Sequence, residues 1–73
     1  MKVYIVLAGR SDIPYRGSWY GCLDYCKDTE TPLRIAVMRA GNPAGHVVAE
    51  ATSEGFRPAE NKTSVSARWF ADG

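Results

Sequence analysis

The chain has 73 residues, 45% of them hydrophobic and 23% charged, with seven Gly and four Pro. That size and make-up predict one small domain over residues 1–73 and exclude a multi-domain enzyme, a disordered tail and a collagen-like repeat. Nine Lys and Arg against eight Asp and Glu leave a net charge of +1, which excludes both the strongly basic footprint of an electrostatic nucleic-acid binder and the acidic surface of a DNA mimic.

In Val3-Tyr4-Ile5-Val6-Leu7-Ala8 a period of two carries apolar groups on both sides, which predicts a central strand rather than a signal peptide. Gly9-Arg10-Ser11-Asp12 is a turn cluster, and Ile13-Pro14-Tyr15-Arg16 returns as a short strand. Pro14 cannot donate a ladder hydrogen bond, so this strand belongs at an edge. Ser18 is suited to cap a helix, and Trp19, Cys22, Leu23 and Cys26 then recur at i, i+3, i+4 and i+7 to form one apolar face. Tyr20, Asp24, Lys27 and Asp28 fall on the wet side, and the cluster before Pro32 stops the helix. Beyond it, Leu33-Arg34-Ile35-Ala36-Val37-Met38 alternates again, Ala40 to Gly45 forms a hairpin loop, and His46 to Thr52 is the returning strand. Ser53 to Lys62, with Gly55 and Pro58, lacks periodicity and is expected to be a loop; Thr63 to Phe70 is expected to be the last strand.

The order β-β-α-β-β-β predicts an α+β fold: one two-layer domain in which an antiparallel sheet of four or five strands buries one face under the helix and leaves the other open. Placing Val3, Ile5, Leu7, Leu33, Ile35 and Val37 under the helix turns Tyr4, Val6, Arg34, Ala36, Met38, Val48, Arg68 and Phe70 outward. So apolar a face, carrying aromatic, Met and Arg groups, has the composition of a binding surface. The alternatives are that a one-residue register error moves some of these groups to the other face, or that the loop from Ser53 to Lys62 folds over them. Tyr4, Arg34, Met38, Arg68 and Phe70 are therefore the expected partner-binding residues.

The residue inventory speaks against catalysis, and no catalytic residue, metal ligand set or cofactor is expected. A zinc site takes four ligands at paired spacings, whereas Cys22, Cys26 and the single His46 are scattered. Thiols on a core-facing stripe are inaccessible and shifted away from reactivity. Asp24 and Asp28 form a solvated pair, and no phosphate-cradling glycine loop or nucleophile elbow occurs. No apolar stretch approaches the roughly 20 residues of a membrane-spanning helix, and no lipidation signal closes the chain at Ala71-Asp72-Gly73.

The whole-chain pattern, with Met1 leading directly into a strand, one short helix over Ser18 to Cys26, meander strands and no catalytic set, resembles the small α+β accessory proteins encoded by bacteriophages and mobile elements, anti-CRISPR proteins among them. That class shares no sequence signature, so the resemblance carries over no residue role. It implies a phage-type inhibitor that binds a bacterial defence complex through a protein surface, in the cytoplasm of a bacterial host. A protein partner is thus expected first, a single-stranded nucleic acid on the open face second, and a homo-oligomeric subunit such as a homodimer third.

Overall fold

The structure, a computed structural model, describes residues 1–71; the reading of the final residues of Ala71-Asp72-Gly73 lies outside the described residues. Six strands, one α-helix and one 3-10 turn follow in the order β1 (Lys2–Ala8), β2 (Asp12–Gly17), α1 (Trp19–Cys26), β3 (Leu33–Arg39), β4 (Ala44–Thr52), β5 (Gly55–Pro58), β6 (Ser64–Ser66) and a turn over Ala67–Phe70. The fold is α+β, with every hydrogen-bonded strand pair antiparallel. Across the sheet the strands run β2-β1-β3-β4-β5, and β6 pairs with β4 as well. The outer edge of β4 is shared: β5 takes Ala49 to Thr52 and β6 takes Ala44 to His46. The chain between them crosses at a bulge in β4, opposite Ile35 and Ala36.

Strand β1 is central, and its neighbours Ile5 and Val6, which point to opposite faces, are both fully buried. Strand β2 lies at the edge, where Pro14 costs no ladder bond. The chain passes from β2 through α1 to β3, and β1 lies between those two strands. Such a crossover is confined by handedness to one face of the sheet. The helix begins where Ser18 Oγ accepts from the Gly21 N–H at 3.1 Å. Beyond its end the Thr29 hydroxyl donates to the Cys26 carbonyl at 2.9 Å.

Two cores result, one on each face. Under the helix, Val6, Ile35 and Ala51 pack with Cys22 and Cys26, joined by Tyr4, Trp19, Leu23 and Leu33. On the far face, Ile5, Ala36 and Val47 pack with Val65 and Phe70, joined by Val3, Leu7, Ile13, Met38 and Trp69. The expected open face is therefore closed. Its cover is the C-terminal segment, which leaves β6 as a 3-10 turn after Ser66 instead of running on as a strand to Phe70.

Two features hold that cover in place. Arg16 Nη1 donates to the Phe70 carbonyl at 3.1 Å, linking the edge strand to the turn. Gly45, buried in β4, gives the Phe70 ring its room: a Cβ there would collide with the ring and with the Val37 carbonyl oxygen. The segment expected to be a loop also contains a strand, β5, because backbone pairing with β4 overrides its lack of apolar periodicity.

Candidate functional site

The helix face of the sheet is only partly covered. Eight helical residues span about 12 Å, whereas the nine residues of β4 span about 30 Å. Beyond the first turn of α1 the sheet bears an open groove of about 610 Å³. Tyr4 of β1, Val37 of β3, Val48 of β4 and Trp19 of the helix line it, and Lys2, Arg39 and His46 add basic groups. Trp19 links the groove to the rest of the fold. Its ring lies 5.5 Å from Tyr4 at 54° and 5.1 Å from Phe56 edge-on, and Phe56 itself is 53% exposed. Rings at these separations hold one another in place.

The charge at this end is segregated. No Asp or Glu occurs in residues 1–11 or 31–49, and the antiparallel register brings the start of β1, the end of β3 and the start of β4 together. Lys2 stands directly across from Arg39. Both side chains lie on the helix side of the sheet and both are exposed. Like charges placed opposite one another destabilise a sheet. Elsewhere the charged cross-strand pairs are complementary: Arg34 faces Glu50 and Glu50 faces Arg57, the latter pair bridged at 3.5 Å. Among the described residues no carboxylate is bridged to Lys2, Arg39 or His46. The groove is thus a basic, aromatic-walled site at one end of a chain whose total charge is near zero.

The five residues expected to share a binding face are dispersed. Tyr4 lies on the helix face and lines the groove, while Met38 packs against the Phe70 core and reaches the groove margin. Arg34 is exposed near the opposite end of β3. Arg68 is exposed on the 3-10 turn with its guanidinium 5.7 Å from the centre of the Trp69 ring. Phe70 is 4% exposed and fills the far core. The stacking platform of Tyr4 and Phe70 flanked by Arg34 and Arg68 does not form. The expected facing of β3 holds, with Leu33 and Ile35 under the helix and Ala36 and Met38 away from it, but that of β1 is inverted: β1 is apolar on both sides, so either of its faces could have taken the helix. Lys2, Trp19 and Arg39 went unrecognised as site residues, although the two carboxylate-free stretches were visible in the sequence.

Cys22 and Cys26 are free and fully buried. Burial pushes the Cys22 thiol up to about 11, the neighbouring Cys26 adding to the effect, and burial raises Cys26 too. Thiols so held are poor nucleophiles and poor metal ligands. Among the described residues no cluster of His, Cys, Asp and Glu could hold a metal ion, and no helix is long and apolar enough to cross a membrane. No known protein family matches the chain, and no curated protein or solved structure matches it.

Proposed function

We propose that this chain is a non-catalytic macromolecule-binding protein that acts by occupancy, engaging an anionic segment of its partner in the groove between α1 and the Lys2–Arg39 end of the sheet. The observation that carries this reading is the Lys2–Arg39 pair: two exposed like charges in direct cross-strand register, beside Tyr4 and Trp19, with no carboxylate bridged to them among the described residues. Such an arrangement costs stability when empty and is relieved when an anion binds. In the form implied by the resemblance to mobile-element accessory proteins, the partner is a bacterial defence complex and binding inhibits it.

The test is to place the same charge change at two locations. Lys2→Glu/Arg39→Glu and Arg34→Glu/Arg68→Glu carry equal net charge, and all four side chains are exposed. On immobilised heparin, used as a generic polyanion, the first variant should elute at clearly lower salt than the second. Equal elution would refute the groove as the anionic contact.

A further inference from the structure

We infer, resting on the reading above, that the anionic segment held in the groove is a single-stranded nucleic acid, with bases against Tyr4 and Trp19 and phosphates at Lys2 and Arg39. Three features of the site favour this occupant over an acidic protein segment. The groove offers rings and cations together, the combination that takes up an unpaired strand whose base faces and phosphates are both exposed. An extended peptide gains much of its affinity by adding to a sheet edge. Here β1, β3 and β4 beneath the groove each have strands on both sides, so no edge is available. Finally, Lys2 and Arg39 sit side by side across the β1–β3 ladder, so that two neighbouring phosphates of one strand can be met together.

The near-zero net charge does not oppose this. Salt weakens charges with distance over about 8–10 Å, and Lys2 and Arg39 line the groove while Asp24, Asp28 and Glu30 do not, so a strand there meets the two cations first. Duplex DNA is not the expected ligand, because its bases are stacked and cannot lie against the rings.

The experiment measures fluorescence anisotropy of a fluorescein-labelled ten-nucleotide oligo(dT), beside a labelled oligoglutamate, at about 50 and 200 mM salt. Binding of oligo(dT) should weaken with a log–log salt slope of about −1.4, for the two phosphate contacts of Lys2 and Arg39 at about −0.7 each. Lys2→Glu/Arg39→Glu should weaken it at least about tenfold and flatten the slope. Trp19→Leu should weaken it about 5- to 150-fold, the range for loss of one base–ring contact. Lys27→Glu/Arg57→Glu, an equal charge change away from the groove, should bind nearly as the parent does. Oligoglutamate binding that depends on Lys2 and Arg39, with no oligo(dT) binding, would overturn the nucleic-acid occupant and leave the occupancy reading standing. Loss of binding to both probes and to heparin would overturn both. Displacement of oligo(dT) by thymidine monophosphate at equal nucleotide concentration would show a single-nucleotide site and overturn the strand.

Discussion

Phe70→Ala tests whether the far face of the sheet is closed. The Phe70 ring packs on Ile5, Ala36, Val47 and Val65, and only 4% of the residue is exposed. Truncating a buried Phe costs about 3–5 kcal/mol through lost transfer energy and the cavity left behind. A 73-residue domain at about 0.05–0.15 kcal/mol per residue holds only about 4–11 kcal/mol in total. The substitution therefore removes from about a quarter to all of the stability. Gly45→Ala reaches the same contact from β4, pressing a methyl group against the ring and the Val37 carbonyl at a cost of about 1–3 kcal/mol. In a Phe70→Leu background, which lacks the far edge of the ring, Gly45→Ala should cost less. The shortfall should be about 0.5–3 kcal/mol, the coupling expected of residues in contact. Urea unfolding followed by tryptophan emission measures all four corners of this cycle. Phe70→Ala costing below about 1 kcal/mol, or Gly45→Ala costing the same in both backgrounds, would refute the closed face.

On the helix, Leu23→Ala should cost about 2–5 kcal/mol and Asp24→Ala under about 0.5 kcal/mol, read as thermal midpoints by circular dichroism; equal losses would show that the helix is phased differently. Cys22 and Cys26 should react with a disulfide reagent only after denaturant is added, and rapid labelling of the native chain would contradict their burial. An unfolded thiol titrates near 9.0 and folded Cys22 near 11, so the unfolded chain loses its proton first as pH rises. Stability associated with this group is therefore intact below about pH 9 and declines by about 3 kcal/mol towards pH 11. Cys22→Ala should make that decline shallower in urea titrations, and an unchanged slope would contradict the shift.

The helix was legible because its signals are local: a capping Ser18, the spacing of Trp19, Cys22, Leu23 and Cys26, and Pro32 beyond its end. The edge position of β2 followed from Pro14, and the β3–β4 hairpin from the glycine- and proline-bearing turn. What could not be read depends on long-range pairing. Val3-Tyr4-Ile5-Val6-Leu7 is apolar at every position, so alternation cannot say which side meets the helix. β5 exists through backbone bonds to β4, which leave no pattern in Gly55-Phe56-Arg57-Pro58. Trp69 and Phe70 mark a buried segment, but whether it continues as a strand or folds over as a turn depends on space provided by Gly45, far away in sequence. The basic groove was hidden for the same reason, since Lys2 and Arg39 meet only through the register of β1 with β3.

The two tryptophans report on opposite faces of the sheet, which gives the most direct test of where binding occurs. Trp19 borders the groove, and Trp69 packs against the far core beneath Arg68. In a nitrogen–proton correlation spectrum each indole N–H gives its own resonance, assignable with a Trp69→Phe variant. Titration with oligo(dT) should shift the Trp19 indole signal together with the amides of Tyr4, Val37 and His46, leaving the Trp69 indole in place. Shifts centred on Trp69 and Arg68, with Trp19 unmoved, would contradict the assignment of binding to the groove.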